Sequence, residues 1–387
     1  MEPMINVMQP ALGEQELAAV REVFESNWIG RGARTQQFES AFARHIGVDA
    51  DHVTTTNSCT EATFIAMELL EIGPGDEVVL PTPSFVGAGN AIASRGAVPV
   101  FCDVDEATLN PRVSDIEAVL TERTKAVLIL HYGGYPGEVK QIAQLCRDRG
   151  IHLIEDAAVA IASTVDGQSC GTFGDIGVWS FDHGKIVVTV DGGMLCVRDP
   201  ELAARAPKIA YLGMEQRSGY DQAMRAQTRW WDFDVTSFSR RSTTNDVLAA
   251  IGNVQLSRLG DFIARRREVA EAYDAGLSDV AGLRVPPPLP AGHTSSYYMY
   301  WLQFEGGIRD QVARDLYELG VYTTFRYPLL HQVPAYGSSA VLPNAEAAAA
   351  KTLLLPMHQS LSDSDVDRVI SAVRECTGRR IRVARAA

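Results

Sequence analysis

Between residues 77 and 197, short apolar runs alternate with segments of helical periodicity, and this alternation limits the fold more than any other feature of the chain. The apolar runs fall at residues 77–80, 98–101, 126–130, 152–154, 176–181 and 194–197. Amphipathic helices are predicted between them at 87–95, 113–120 and 139–149, where apolar residues recur three and four positions apart. Strands that are apolar throughout, separated by helices, predict a parallel sheet covered on both faces. Ligands of such sheets bind beyond the carboxyl ends of the strands. Asp156 lies at one such end, and so do Phe85 and the turn before it.

Helices are also predicted at 13–26, 36–45, 62–70 and, as one long stretch, 245–273. Residues 207–243 read as irregular and rich in arginine and aromatics, including Arg229, Trp230 and Trp231. After the stiff run Pro286-Pro287-Pro288-Leu289-Pro290 a smaller α+β unit is predicted, with strands at 297–304 and 321–326 and helices at 309–319 and 363–376. The expected division is a large α/β domain over 1–265 and a small α+β domain over 266–387. The arginine-containing tail, 379–387, reads as a solvated end.

The chain has 387 residues, 46% of them hydrophobic, enough for a sizeable core. Its formal charge of −13 argues against a nucleic-acid partner, which would require a basic face. No apolar stretch reaches the ~20 residues needed to span a bilayer. The six cysteines form no C-x-x-C pair, so no metal site is expected, and the protein reads as cytoplasmic.

Three local features carry chemistry. Ser58 and Glu61 have capping-box spacing ahead of the helix at 62–70, so the amides of Cys59, Thr60 and Glu61 point out of a partially positive helix start suited to a phosphate. Asp156 follows Leu153-Ile154 and precedes small residues, so a flat ring could approach it. Lys185 follows an aromatic run and lies between Gly184 and Asp191-Gly192-Gly193, a setting for a shaped turn. Held out of bulk water, such an amine would have a lowered pKa and act as a nucleophile. Ser180 could add a hydroxyl to the phosphate, and Phe85 could stack on a ring.

With these residues in place, the chain resembles the DegT/StrS-type sugar aminotransferases, pyridoxal phosphate (PLP) enzymes of fold type I. The resemblance runs nearly end to end: Pro10-Ala11-Leu12-Gly13, Trp28-Ile29-Gly30, Asn57-Ser58-Cys59-Thr60, Gly73-Pro74-Gly75-Asp76, Glu155-Asp156-Ala157-Ala158, Ser180-Phe181-x-x-x-Lys185, Asp191-Gly192-Gly193, Asp246-Val247-Leu248-Ala249 and Leu355-Pro356-Met357-His358. It implies a mostly parallel seven-stranded sheet sandwiched by helices. It makes Lys185 the Schiff-base lysine and Asp156 the partner of the pyridinium nitrogen. Phe85 becomes the ring-stacking aromatic, and Ser58, Cys59, Thr60, Glu61, Ala158 and Ser180 the rest of the cofactor site.

Arg241 stands where the family takes a phosphate contact from a neighbouring subunit, which implies a homodimer with shared sites. The implied reaction moves an amino group from L-glutamate, through pyridoxamine 5'-phosphate, to a ketone on a nucleotide-linked deoxysugar. A carbocyclic acceptor or a PLP-dependent sugar dehydratase is the alternative. The acceptor is expected near Trp28, Ile29, His183, Arg326, Tyr327 and His331, with Arg240 and Arg241 as a further diphosphate clamp. Two departures stand out: Val159 and Ile186 occupy positions where the family usually has polar side chains.

Overall fold

The computed structural model describes residues 3–215, 231 and 233–386. Residues 216–230 and 232 of the irregular segment, Arg229 and Trp230 included, lie outside the described residues. Two helices, α1 (Glu14–Glu25) and α2 (Ala33–Ile46), lead into β1 (Val53–Thr56) and α3 (Cys59–Leu69). The predicted alternation follows as β2 (Glu77–Pro81), α4 (Val86–Ser94), β3 (Val98–Cys102), α5 (Val113–Glu117), β4 (Thr124–Leu130), α6 (Val139–Arg149) and β5 (His152–Asp156). A small hairpin, β6 (Thr164–Val165) and β7 (Gln168–Ser169), precedes β8 (Ile176–Ser180), β9 (Gly193–Val197) and α7 (Pro200–Ile209).

The central sheet has seven strands in the order β1-β9-β8-β5-β4-β2-β3. Strand β9 runs antiparallel to both of its neighbours, and the other pairings are parallel. The architecture is thus the expected mostly parallel sheet with helices on both faces. Strand β1 is absent from the sequence-based prediction because Val53-Thr54-Thr55-Thr56 reads as polar, yet all four residues are buried. Because β9 is reversed, its first residue, Gly193, pairs with the last residues of both β1 and β8, Thr56 and Ser180. The carboxyl ends of β4, β5 and β8 and the start of α3 therefore meet at one edge.

The core beneath that edge is aromatic. Phe42 of α2 lies 5.1 Å from Trp179 and 5.7 Å from Phe181, and Phe38 lies 5.1 Å from Phe181. All four rings are fully buried. Burying each stabilises the fold by about 1.5–3 kcal/mol. The β8–β9 loop is thereby seated on a rigid floor.

The predicted helix at 245–273 is two helices, α8 (Asp246–Ser257) and α9 (Leu259–Leu277). Arg258 separates them at φ −94°, ψ −2°, its guanidinium held by Glu16 and the Ala11 carbonyl. Helix α9 contributes Leu259, Phe262 and Ile263 to the large core and Val269, Tyr273 and Leu277 to a second one. The expected domain boundary at 265 falls inside it.

The second core is closed by β10 (Leu283–Arg284), β12 (Tyr300–Phe304) and β13 (Thr352–Leu355), with α10 (Arg309–Glu318) and α12 (Asp363–Ala386) against them; β11 (His293–Thr294) joins the β6–β7 hairpin, and α11 (Pro343–Lys351) precedes β13. The predicted strand at 321–326 is not one. Its composition suits a strand, but it finds single bridging partners only, Ile5 at Val321 and Leu354 at Thr324. The tail is not simply solvated either. The last helix continues to Ala386, and Arg379 and Arg380 both bind the buried Asp315 carboxylate.

Candidate active site

A cavity of about 200 Å³ opens where these strand ends meet. It is lined by α3 (Ser58, Cys59, Thr60, Thr63), the start of α4, the ends of β4, β5 and β8, the lysine loop, and Arg326 and Tyr327. Of the residues expected at the cofactor site, Ser58, Cys59, Thr60, Phe85, Asp156, Ala158, Ser180 and Lys185 all line it.

Ser58 caps α3 with its hydroxyl, which accepts from the Glu61 amide at 3.1 Å. The reciprocal half of a capping box is missing. The Glu61 carboxylate turns away to accept from Ser242 Oγ at 2.9 Å and to pair with Arg240 at 3.1 Å. Glu61 therefore ties the 240–242 segment to α3 and does not face the cavity. The Cys59 and Thr60 amides belong to the first turn, which has no intrahelical acceptor to offer them. A Cβ on Gly193 would stand 2.5 Å from the Cys59 nitrogen, and a Cβ on Gly87 2.9 Å from the Phe85 ring. Both glycines are there for close approach.

Alternation along β5 sends its two acids to opposite faces. Glu155, fully buried, accepts from His131 Nε2 at 2.9 Å and from the Gly171 and Gly174 amides at 2.7 Å each. Asp156 faces the cavity and accepts from the Ala158 amide at 3.0 Å. Burial pushes the Asp156 carboxyl up, against the opposing pull of that amide, Lys185 and His131.

The lysine loop is folded on itself. Lys185 N donates to Asp182 O, Phe181 N to Gly192 O, and Thr189 N to Phe181 O. The Lys185 ammonium lies 5.0 Å from the centroid of the Tyr298 ring. Burial lowers its pKa, but the surrounding Tyr298, Tyr327, Cys59 and Asp156 raise it by more. The net direction is upward, opposite to the expectation from burial alone. Val159 and Ile186 are 1% and 2% exposed and belong to the large hydrophobic core, so neither brings a polar atom to the site.

The expected acceptor residues divide. Arg326 and Tyr327 line the cavity, with the Phe85 ring edge-on to Tyr327 at 5.8 Å. His331 does not. Its short turn, Leu330–Gln332, tucks inward, anchored by Leu330 N to Thr82 Oγ1, and the imidazole is buried near Phe101 and Glu346. His183 points into solvent, paired with Asp182 at 2.9 Å. Trp28 and Ile29 are exposed outside the cavity, the indole donating to Arg31 O. Arg240 is spent on Glu61 and the Phe64 ring, and Arg241 lies over Tyr211, so neither lines the cavity of its own chain. Thr63, Leu130, Asp182 and Asp191 line the cavity without having been expected there. Thr63 was within reach of the sequence, since it shares a helix face with Thr60.

The sequence profile of the DegT/DnrJ/EryC1/StrS aminotransferase family matches residues 10–374. Over 366 residues, 95% of either chain, the protein is 56% identical to dTDP-4-dehydro-2,3,6-trideoxy-D-glucose 4-aminotransferase of Saccharopolyspora spinosa. It is 35% identical over 378 residues, again 95% of either chain, to spore coat polysaccharide biosynthesis protein SpsC of Bacillus subtilis. Among solved structures, the aminotransferase TlmJ from Streptoalloteichus hindustanus matches with a TM-score of 0.93 at 62% identity, covering 97% of this chain and all of that one. The sugar aminotransferase CalS13 from Micromonospora echinospora matches with a TM-score of 0.87 at 26% identity, covering 96% of this chain and all of that one. The chain belongs to the DegT/DnrJ/EryC1/StrS aminotransferase family and is a pyridoxal phosphate-dependent sugar aminotransferase.

Proposed function

We propose that this enzyme transfers the amino group of L-glutamate to the keto carbon of a nucleotide-linked deoxysugar, with C4 of a dTDP-linked 4-keto-trideoxyhexose as the acceptor. The observation that carries this reading is the convergence of Lys185, Asp156 and the α3 start on one cavity, in a chain 56% identical to an enzyme named for that substrate.

The residues present fit pyridoxal phosphate. The first-turn amides of α3, with Thr60 and Ser180 beside them, suit its phosphate. Asp156 sits buried without a full cationic partner, and a protonated ring nitrogen would supply one. Phe85 flanks the space between. Bound there, the cofactor supplies an electrophilic carbonyl carbon and an electron-withdrawing ring.

Lys185 Nζ provides the covalent attachment. When its amine is free, it would carry the proton at the donor's α-carbon. Asp156 holds positive charge on the ring nitrogen throughout. Arg326, which lines the cavity, is placed to meet an anionic group of donor or acceptor.

We place the second half of the site on a second copy of the chain. Phe238 is fully exposed, and Trp231, Phe233 and Val235 are more than half exposed, a run of apolar surface that a homodimer would cover. Arg241, turned away from its own cavity, would serve its neighbour's. No described helix is long and apolar enough to cross a membrane, and the six cysteines are all unpaired, which supports a cytoplasmic enzyme.

The test loads the protein with pyridoxal phosphate, adds L-glutamate, and follows both the spectral conversion to the pyridoxamine form and the mass gained by the keto sugar. Borohydride should fix the cofactor to the peptide bearing Lys185, and Lys185→Ala should abolish that adduct. An adduct that survives in the variant would refute the assignment of the lysine.

A further inference from the structure

Val159 and Ile186 leave the lysine's surroundings without the polar side chains usual at those positions. The groups that do act on its amine come from four places. Cys59 belongs to α3, Asp156 to β5, and Tyr298 and Tyr327 to two separate stretches of the C-terminal part of the chain. Asp182 and Asp191, on the lysine's own loop, line the same cavity. At neutral pH the Tyr327 phenol, pushed up to about 12 by burial, is neutral, and so is the Cys59 thiol, which burial raises well above its ordinary value. That leaves the Asp156 carboxyl, and Tyr298, which offers a ring face.

That ring is fixed more firmly than packing requires. It is 1% exposed. Its hydroxyl donates to Met8 Sδ at 3.2 Å, and the same sulfur lies against Gly184, beside the lysine. Its amide donates to Gly133 O at 3.1 Å. Arg266, itself 1% exposed and without a carboxylate partner among the described residues, donates to Tyr297 O at 3.1 Å, Tyr298 O at 3.4 Å, Met357 O at 3.0 Å and Gln359 Oε1 at 3.0 Å. A buried guanidinium satisfied almost entirely by backbone carbonyls fixes the segment carrying the ring. The ring face is then presented to the Lys185 ammonium at 5.0 Å, within cation–π range.

We propose that Tyr298 is a positioning residue whose ring face holds the ammonium of Lys185 whenever that amine is not covalently engaged. This rests on the reading of Lys185 as the reacting amine. A covalently attached lysine has little use for the ring. A freed one, on a side chain with four rotatable bonds, would otherwise have several rotamers to explore, with the carboxyls of Asp156, Asp182 and Asp191 in the same cavity. The ring thus keeps the proton carrier in place during the half of the cycle in which the cofactor carries the amino group.

The experiment replaces Tyr298 by phenylalanine and by di- and trifluorinated phenylalanines, which keep the ring's shape and drain its face of negative potential stepwise. In the cofactor-free protein, the Lys185 pKa is read from the pH dependence of its acetylation by acetic anhydride, quantified by mass spectrometry. Tyr298→Phe should stay close to wild type, and the most fluorinated ring should lower the pKa by about one unit. The single-turnover rate with L-glutamate should fall in the same order, with its concentration dependence unchanged. A pKa that is flat across the series would overturn the proposal. So would a Tyr298→Phe variant as low as the fluorinated ones, which would assign the effect to the hydroxyl. Failure of borohydride to fix the cofactor to Lys185 in the wild type would instead remove the underlying reading, a result the acetylation profile does not depend on.

Discussion

Replacing Gly193 by alanine should cost the enzyme its cofactor before it costs the fold. The added Cβ would stand 2.5 Å from the Cys59 nitrogen, 2.5 Å from the Ser58 carbonyl carbon and 2.6 Å from its oxygen, where ordinary contact begins at 3.4 Å. All three are backbone atoms, so no side chain can rotate out of the way. Strand β9 cannot yield, because Gly193 is paired with Thr56 on one side and Ser180 on the other. The start of α3 must therefore retreat by roughly 0.9 Å, the gap between the two distances. A hydrogen bond from the Cys59 or Thr60 amide to a phosphate, normally ~2.9 Å long, would then exceed 3.5 Å. Losing one such bond to a charged group, at about 1.5–3 kcal/mol, weakens pyridoxal phosphate binding by about ten- to a hundred-fold, and losing a second multiplies that by a similar factor. The overpacking itself costs the fold about 1–3 kcal/mol. Titration of the cofactor-free variant by absorbance measures the first effect, and inorganic phosphate as competitor isolates the phosphate's share. Gly13→Ala, where a Cβ meets nothing within 4 Å, is the control. A folded Gly193→Ala variant with wild-type cofactor affinity would show that the α3 start is not the phosphate seat.

Asp175 is held down to about 2: burial opposes its ionisation, but His152, the Leu153 amide and Arg198 outweigh it. A depressed folded-state value gives stability that is fully present above the unfolded value and lost as pH falls toward about 2. Asp175→Asn should therefore destabilise by about 1 kcal/mol at pH 7, solvent around the half-exposed partners having weakened the ion pairs, with the gap narrowing below pH 4, as read from denaturant midpoints across pH. Asp246 accepts from the Gly32, Arg34 and Thr35 amides and from Thr35 Oγ1, which makes it the cap of α2. Asp246→Ala should cost about 2–4 kcal/mol in chemical denaturation, and Asp246→Asn distinctly less because Oδ1 alone takes three of the four bonds. Arg266→Met should lower the midpoint of thermal unfolding and expose the 295–299 backbone to proteolysis, since three carbonyls, two of them in buried bonds, lose their donor.

Much of the sheet and its cofactor edge was legible because both are written locally. Apolar runs mark β2 to β5, and the Ser58–Glu61 spacing marks the start of α3. What was not legible depends on partners far along the chain. Strand β1 is three threonines until β9 and α2 bury it, with Thr55 held by Glu39. Arg326, Tyr327 and His331 read as one lining set, but after Tyr327 the chain turns inward to Thr82, and His331 goes into the core. The box at α3 is half a box because Arg240 and Ser242 claim Glu61 first. Tyr298 carries no local mark at all, since its significance comes from Arg266 and Met8 holding it beside a lysine from another part of the sequence.

The reversed strand β9 also sets when this site can exist during synthesis. Strand β1 lies at the edge of the sheet and pairs with β9 alone, yet 136 residues separate the end of one from the start of the other. Until residue 197 has left the ribosome, β1 and the α3 start behind it have no sheet to join. Strands β2 to β5, on the far side of the sheet, can assemble before then. A nascent chain therefore acquires its central sheet first and its phosphate seat and lysine loop together, in one late closure, so that truncation between β5 and β9 yields a chain with Asp156 present and nowhere to hold the cofactor.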